Sequence, residues 1–304
     1  MKYDTVQHKK YVGFIGLGAM GSSVTRNLVN ADYDLCLYDV RKEAMDSFPE
    51  TRTMKASSPL DVGNAAEVCF LMVNTYEQCL SVLTGAKGLL SGNRCKTLIL
   101  LSTVAPQDAV AIGKECQTHG VQLLDCPVSG GTKGAADGTL TLMVAGPEKT
   151  YQDCTPLLQA FSSKIFFIGE EVGMGQSMKA VNQLLFGVQM VAMAEAVVFA
   201  EKSGIPPNRV FEVISNCAGC SNVFMSRMPS VIKRDFSTRS TLDIQVKDMN
   251  ICLQAGEKNQ APLFLTSVAK EIFKLARKDI DPREDSSAVV KFYENLAGVD
   301  PEKL

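Results

Sequence analysis

The sequence predicts an α/β protein in which a doubly wound, mainly parallel sheet is followed by an all-α domain, the two being joined through a long buried helix. In the first half, short apolar runs alternate with amphipathic segments, which is typical of parallel strands connected by helices. From Gly173 onward this alternation stops and helical segments follow one another. We therefore expect a polar extension over residues 1–10, a sheet domain over residues 11–172 and a helical domain over residues 173–304.

Several apolar runs in the first half have the length of buried strands. The runs at 67–73 and 97–102 are apolar almost throughout, as expected of central parallel strands that are covered on both faces. Pro106 stands where the first turn of a helix favours proline. The predicted strands cover residues 11–15, 34–39, 67–73, 97–102, 121–125, 139–145 and 164–168, and the predicted helices cover 22–31, 41–48, 59–65, 75–83 and 106–119.

The second half begins with a segment, residues 174–202, that contains no proline and carries apolar side chains on most faces of the helix it predicts. Such a helix is expected to be buried against another domain or another subunit. We therefore expect self-association as a homodimer or homotetramer. Further helices are predicted over residues 208–216, 223–234, 242–257, 263–278 and 286–295.

Composition and charge exclude several classes of function. The chain has 304 residues, with 31 Lys and Arg against 33 Asp and Glu and a formal net charge of −2. We therefore expect neither nucleic acid nor an anionic membrane as a partner. We also see no apolar run long enough to cross a bilayer, and the N terminus lacks the apolar core of a secretory signal. A cytoplasmic protein is expected.

Ten cysteines are scattered through the predicted strands and helices, which is typical of buried thiols in a reducing compartment. Cys217 and Cys220 form a C-x-x-C pair, but neither a second ligand pair nor a thioredoxin-like setting accompanies them. We expect no disulfide framework and no metal site.

A glycine-rich turn stands directly behind the first predicted strand. It reads Gly16-Leu17-Gly18-Ala19-Met20-Gly21, a G-x-G-x-x-G sequence between a strand and a helix. Here the first glycine permits a tight turn, the second lets backbone approach a pyrophosphate, and the third lets the helix pack on the strand. Free N–H groups at the helix N terminus then face the phosphates. The turn predicts a Rossmann-type domain that binds a dinucleotide.

An acidic residue, Asp39, ends the next predicted strand, about 20 residues after the glycines. A carboxylate at this place accepts the ribose hydroxyls of NAD and repels the 2′-phosphate of NADP, so we expect NAD. Two alternatives stay open. Asp39 could cap a helix or be solvated, and Arg41 could hold a 2′-phosphate, which leaves NADP as the less favoured cofactor.

Polar residues follow three further predicted strands, at the sheet edge where such folds bind ligands. They are Val73-Asn74 and Ser102-Thr103, expected beside the cofactor, and Ser129-Gly130-Gly131. A hydroxyl followed by two glycines presents one O–H and several backbone N–H groups to a small anion, for which a substrate carboxylate is suited. An ordinary strand-to-helix turn would carry the same residues, and spacing alone does not separate the two.

Lys179 stands near the start of the long apolar helix, and Asn182 and Gln183 follow it at spacings that share its face. A lysine in an apolar stretch is costly unless it reaches water, a ligand or a partner. Burial would suit its amine to take or give a proton near neutral pH. The alternative is a salt-bridged lysine, or one whose amine extends to solvent at a helix start.

Four motifs in the same order resemble those of the β-hydroxyacid dehydrogenase family, which includes 3-hydroxyisobutyrate dehydrogenase and tartronate semialdehyde reductase. The resemblance covers nearly the whole chain, and the motifs stand at residues 14–21, 125–131, 137–143 and 175–183. In its helical half the chain is similar in particular to the L-threonate dehydrogenases, at residues 218–219, 227–229, 243–248 and 284–289.

The resemblance implies a role for each matched residue. Lys179 matches the catalytic lysine, and the loop of Ser129, Gly130 and Gly131 matches the site of the substrate carboxylate. Thr103 would lie beside the nicotinamide, Lys247 would contact the cofactor from the helical domain, and Phe236 would close the pocket.

The chain departs from the family pattern after the lysine. Relatives often carry Asn-Asn where this chain has Asn182-Gln183, so which of the two contacts substrate stays open. Many relatives also have Asp-Ser-Ser before Thr103, where this chain has Leu100-Leu101-Ser102.

The resemblance implies NAD-dependent oxidation of a small hydroxy acid, with L-threonate oxidised at C2 as the first choice. The alternatives are 3-hydroxyisobutyrate or another 3-hydroxy acid, or NADPH-dependent reduction of glyoxylate or succinic semialdehyde. A different class is a cofactor-binding interaction module without catalysis. Such modules, and imine-reducing relatives, usually lack the lysine that this chain keeps at Lys179.

Overall fold

The computed structural model describes residues 10–237 and 240–301, so the expected extension over residues 1–10 lies outside the described residues except for Lys10. The chain divides into two compact units, one ending at Lys179 and the other beginning at Ala180. The division lies inside the long helix that begins at Met174.

In the first unit, the described residues form one sheet of nine strands in the order β3-β2-β1-β4-β5-β6-β8-β7, with β9 paired to β8. The pairs of β8 with β6 and β7 are antiparallel and the other pairs are parallel, which confirms the mainly parallel sheet. The strands are β1 Tyr11–Ile15, β2 Leu35–Tyr38, β3 Thr53–Lys55, β4 Ala66–Leu71, β5 Thr97–Leu100, β6 Gln122–Asp125, β7 Val128–Ser129, β8 Leu140–Ala145 and β9 Ser162–Gly169.

Helices cover both faces of this sheet, and each face has its own apolar core. Successive side chains of β1 alternate between them, so Phe14 lies in one core and Ile15 in the other. The alternation follows from the two-residue period of a strand. The helices are α1 Gly21–Asn30, α2 Lys42–Asp46, α3 Pro59–Ala65, α4 Tyr76–Thr84, α5 Pro106–Thr118, α6 Gly131–Ala136 and α7 Glu148–Gln159.

The strand order reverses at β1. The chain passes from β1 to β2 and β3 on one side, and then returns to β4 on the other side of β1. In open α/β sheets, ligands bind outside the carboxyl end of the strands at this point. The turn that begins at Gly16 leaves β1 there.

A single long helix, α8 Met174–Lys202, runs across the division between the units. It is only partly buried, since Val181, Leu185 and Phe199 are 53 %, 52 % and 75 % exposed. Among the helices of the described residues, α8 alone is long and apolar enough to cross a membrane by length and composition, which corrects the expectation that no segment is. Core helices of globular proteins meet the same criteria, and 44 % of the apolar window is buried in the protein.

The second unit is all-helical, as predicted. Its core is built on fully buried side chains that include Met190, Met228, Met249 and Phe273. Side-chain hydroxyls cap the N termini of two of its helices. Ser221 accepts a hydrogen bond from the N–H of Phe224, and Thr241 accepts one from the N–H of Ile244. After α8, the helices are α9 Pro207–Ile214, α10 Asn222–Ile232, α11 Leu242–Lys258, α12 Phe264–Asp279 and α13 Val289–Ala297.

All ten cysteines are free thiols, and eight of them are buried. Cys217 is exposed and Cys220 is half-buried. Burial raises the pKa of Cys36 and Cys116 to about 12, so these thiols stay protonated and pack as apolar groups.

Candidate active site

The glycine turn after β1 is packed against the neighbouring strand ends. The Gly16 N–H donates to Tyr38 O at 3.0 Å, and the Met72 N–H donates to Ile15 O at 2.9 Å. Gly16 has φ +98°, and a Cβ on it would lie 2.1 Å from Met72 O. A Cβ on Gly21 would lie 2.0 Å from Gly16 O. Glycine is therefore required at both ends of the turn by the packing of the turn itself.

The middle glycine, Gly18, has no such internal reason. It is exposed, and a Cβ built on it would meet no atom within 4 Å. Close approach of a ligand to this backbone would explain the absence of a side chain. The following helix, α1, has neither a side-chain cap nor an acidic residue in its first turn, so no carboxylate of the helix itself opposes an anion beside Gly18. The turn therefore fits a pyrophosphate.

Asp39 lies directly beside this turn. Its side chain is buried, and its Oδ2 accepts from the Leu17 N–H at 2.7 Å. Its Oδ1 accepts from the Arg41 N–H at 2.8 Å and from the Arg41 Nε at 3.3 Å. The Arg41 side chain is 62 % exposed and also donates to Leu17 O at 3.3 Å. The two residues that bear on the choice of dinucleotide are thus paired with each other.

The ends of β4 and β5 are joined through a serine. Ser102 is buried, and its Oγ accepts from the Val73 N–H at 2.8 Å. Thr103 is half-buried between the buried residues Ser102 and Val104. Asn74 is exposed, and its N–H donates to the side chain of Gln78 at 2.9 Å.

The loop from Ser129 to Gly131 leaves a short strand and enters a helix. Ser129 pairs with Thr141 of β8 and is half-buried. Gly130 follows with φ +129°, a conformation that side-chain-bearing residues rarely adopt, and Gly131 begins α6. The loop therefore turns sharply and leaves a hydroxyl and two glycine amides close together.

Asp125, at the end of β6, is fully buried and holds the beginning of α8. Its Oδ2 accepts from the N–H groups of Gly173 and Gln176, each at 3.0 Å. Burial raises the pKa of Asp125 to about 6, although these donors act in the opposite direction. Gln176 is buried as well, and its Nε2 donates to Asp125 Oδ1 at 2.9 Å.

The motifs that contain Asp125 and Gln176 predicted no role for either residue. The signal that could have found them is a carboxylate and an amide in otherwise apolar surroundings, which must be hydrogen-bonded when buried.

Lys179 is the last residue of the first unit and is buried, with 8 % of its surface exposed. It lies three residues after Gln176 on α8, so the two share a face of the helix. Burial of a lysine at this place agrees with the requirement that its amine be used or paired.

In the second unit, the predicted polar residues meet at one buried carboxylate, Asp248. The Asn182 Nδ2 donates to Gln183 Oε1 at 2.9 Å, and the Gln183 Nε2 donates to Asp248. The Lys247 Nζ lies 3.3 Å from the other oxygen of Asp248. Gln183 is buried, whereas Asn182 is half-buried. Asp248 was not singled out in the sequence, and it links Lys247 to Gln183.

Phe236 is buried in the helical unit. The Lys291 Nζ lies 4.4 Å from its ring centroid, and the guanidinium carbon of Arg234 lies 5.2 Å from it. Its ring therefore contacts two cations. Closing a pocket stays a prediction for this residue.

Within residues 10–237 and 240–301, no three His, Cys, Asp or Glu side chains are grouped so as to hold a metal ion. The first unit brings the glycine turn, Asp39, Val73 and Ser102 to one edge of the sheet. A dinucleotide-binding edge and a buried lysine in the same unit favour the class of nucleotide-dependent oxidoreductases.

Comparisons with known proteins agree with this class. Residues 11–169 match the family described as the NAD binding domain of 6-phosphogluconate dehydrogenase. Residues 173–293 match the family described as NAD-binding of NADP-dependent 3-hydroxyisobutyrate dehydrogenase.

Two relatives and one solved structure are similar over nearly their whole length. L-threonate dehydrogenase of Cupriavidus necator is 34 % identical over 286 residues, which cover 94 % of this chain and 96 % of the relative. The 2-(hydroxymethyl)glutarate dehydrogenase of Eubacterium barkeri is 33 % identical, with 95 % and 96 % covered. The crystal structure of 3-hydroxyisobutyrate dehydrogenase from Salmonella typhimurium superposes with a TM-score of 0.83 at 31 % identity, covering 93 % of this chain and 99 % of that one.

The chain belongs to the β-hydroxyacid dehydrogenase family. It is an oxidoreductase that uses NAD or NADP and acts on CH–OH groups of hydroxy acids. The resemblance inferred from the four motifs is confirmed, as is the fold class.

Proposed function

We propose that this protein oxidises a small hydroxy acid with NAD, that the preferred substrate is L-threonate oxidised at C2, and that Lys179 is the general base. Binding of a dinucleotide is supported by the G-x-G-x-x-G turn between β1 and α1, in which Gly18 is exposed and a Cβ on it would meet no atom within 4 Å. The choice of L-threonate as substrate is supported by the similarity to the L-threonate dehydrogenase of Cupriavidus necator.

The substrate carboxylate would be held by the loop after β7. The Ser129 hydroxyl and the amides of Gly130 and Gly131 supply donors to an anion, and the turn at Gly130 brings them together. This anchor would leave the hydroxyl of the substrate free to reach the lysine.

Lys179 would hydrogen-bond the substrate hydroxyl and accept its proton during oxidation, and it would return a proton to the forming alkoxide during reduction. The bound nicotinamide would supply the hydride acceptor. The burial of Lys179 keeps its amine from bulk water, so a proton would pass between the amine and the substrate.

Asn182 and Gln183 would orient the substrate from the next turn of α8. The Gln183 amide already contacts both Asn182 and Asp248, which fixes its direction. Substituting each amide in turn, and comparing KM for the substrate, would decide which of them contacts it.

Substrate identity is tested by a panel of acids with both cofactors. We expect oxidation of L-threonate with NAD at a higher kcat/KM than of D-erythronate or 3-hydroxyisobutyrate. A higher value for 3-hydroxyisobutyrate would favour the activity for which the Salmonella typhimurium structure is named. Reduction of glyoxylate or succinic semialdehyde with NADPH, without oxidation of any polyhydroxy acid, would refute the proposal.

Lys179→Ala tests the mechanism. We expect kcat to fall about 10²- to 10⁴-fold, the usual contribution of a positioned general base, while the Kd for NAD changes little. Lys149→Ala is the matched control, since Lys149 is exposed and pairs with Asp153 on the surface. Near-normal turnover of Lys179→Ala would remove the lysine from the mechanism and leave a cofactor-binding module as the alternative.

We also propose that the protein forms a homodimer or homotetramer in the cytoplasm. Support comes from the exposed apolar side chains of α8, among them Met178, Val181 and Leu185, which recur along one side of the helix. Neither nucleic acid nor a membrane is proposed as a partner.

A further inference from the structure

Gln176 connects helix α8, which carries Lys179, to the ends of strands β5 and β6. It lies in the first turn of α8 and is 1 % exposed. Its side-chain oxygen accepts from the Val104 N–H at 3.2 Å. Its side-chain nitrogen donates to Ser102 O at 3.0 Å and to Asp125 Oδ1 at 2.9 Å. One amide thus joins the segment after β5 to the end of β6.

The two backbone groups that Gln176 binds flank Thr103. The carbonyl of Ser102 precedes Thr103 and the N–H of Val104 follows it. The Gln176 amide hydrogen-bonds both groups, so it binds the main chain on both sides of Thr103. Ser102 is itself tied to Val73 through its hydroxyl. The main chain is therefore held on both sides of Thr103, a half-buried residue that follows the end of β5.

The same residue also fixes the beginning of α8. The Gln176 N–H donates to Asp125 Oδ2, which also receives the Gly173 N–H. Helix α8 therefore begins at a defined place relative to β6. Lys179 follows one turn later on the same face of α8, so the contacts that fix the beginning of the helix also fix where the Lys179 side chain starts.

We propose that Gln176 is a positioning residue that sets Lys179 and Thr103 in fixed relation to each other. The inference rests on the proposed function, in which Lys179 handles the substrate proton and Thr103 lies beside the nicotinamide. Gln176 touches neither substrate nor cofactor in this proposal and acts through the two residues.

Other side chains cannot replace this amide. Methionine has a similar length, but it would leave the Val104 N–H, the Ser102 carbonyl and one Asp125 oxygen buried without this partner. Glutamate has the same shape, yet its ionised carboxylate cannot donate to Ser102 O or to Asp125. Protonated glutamate can again donate one hydrogen bond and accept another.

The test compares Gln176→Met and Gln176→Glu with wild type, with Gln189→Met on the same helix as the control. Turnover is expressed per NAD-binding site by titration, so that misfolded protein does not count. For Gln176→Met we expect kcat per site to fall about 10- to 100-fold, the scale of a misplacement near 1 Å, with the Kd for NAD changed far less. Gln189→Met should match wild type.

One further readout would not move with a merely structural role, and a second reports the Gln176–Val104 hydrogen bond itself. The kcat of Gln176→Glu relative to that of Gln176→Met should rise as pH falls, because protonation restores a donor only in the glutamate variant while both variants lack the amide that faces Asp125. In the cofactor-free protein, hydrogen exchange at Val104 should be faster in Gln176→Met than in wild type.

Wild-type kcat per site in Gln176→Met, or unchanged exchange at Val104, would overturn the proposal. The exchange measurement needs no activity, so it separates this proposal from the proposed function. If Lys179→Ala retains turnover, the proposed function fails and so does this inference. If Lys179→Ala is inactive and Gln176→Met is normal, only the positioning role fails.

Discussion

The cofactor preference depends on the charge of Asp39, and Asp39→Asn removes that charge while keeping the size of the side chain. One carboxylate oxygen lies 2.7 Å from the Leu17 N–H, and the other lies 2.8 Å from the Arg41 N–H. Asparagine can still accept one of these bonds through its oxygen, so we expect the turn to fold. Its amide nitrogen has to face the second donor, and the negative charge offered to a ribose is lost.

The size of the effect follows from these contacts. A hydrogen bond to a charged group contributes about 1.5–3 kcal/mol, whereas a neutral one contributes about 0.5–1.5 kcal/mol. Removing the charge therefore costs roughly 1–1.5 kcal/mol for each ribose hydroxyl bound, or about tenfold in Kd. With one or two hydroxyls bound, the Kd for NAD should rise about 10- to 100-fold. The Kd for NADP should stay the same or fall, because repulsion of its 2′-phosphate is removed.

Titration of both cofactors by calorimetry measures these constants directly. Arg41→Ala is the matched variant, because Arg41 is paired with Asp39 but its side chain is mostly exposed. Because the guanidinium side of this pair lies largely in water, the pair contributes about 1 kcal/mol or less, and Arg41→Ala should leave NAD binding nearly unchanged. The reasoning is refuted if wild type prefers NADP and Arg41→Ala abolishes that preference, or if Asp39→Asn leaves the ratio of the two constants unchanged.

Two further predictions concern stability and assembly. The pKa of Asp125 is raised from 3.8 to about 6, so the folded state binds this proton more tightly than the unfolded state. Its contribution to the free energy of unfolding should be greatest below about pH 4 and should fall by roughly 3 kcal/mol as pH rises through 6. A difference in unfolding free energy between wild type and Asp125→Asn that does not change between pH 4 and 7 would contradict this. Light scattering of the wild type should give the mass of two or four chains. Leu185→Lys, on the exposed side of α8, should lower this mass toward that of a single chain. A monomeric wild type would rule out the assembly.

Most of the sheet could be predicted from local pattern, but some elements could not. Helix α7 was not predicted, since its sequence is largely polar and contains Pro156 in its interior. Only Cys154, Leu157 and Leu158 are buried, and that burial arises from packing against the sheet. Strand β3 has three residues, Thr53–Lys55, and is defined by its pairing with β2 rather than by an apolar run.

The candidate site divides in the same way. The glycine turn, Asp39, the loop at Ser129 and Lys179 carry recognisable chemistry at short spacing, and a linear motif is enough to mark them. The partners of Gln183 are different, because Asp248 lies 65 residues away along the chain. The sequence could therefore name Asn182 and Gln183 together but could not say that Gln183 also donates to Asp248.

The sequence by itself determined the fold class, the family and the dinucleotide turn, because each follows from residues that are close together in the chain. The tertiary structure alone decided that a side chain at position 18 would meet no other atom of the protein and that Gln176 binds on both sides of Thr103. Gln176 lies 72 residues from Val104 and 51 from Asp125. Hydrogen bonds over such separations form only when the sheet order brings the strand ends together, and no local pattern records that order.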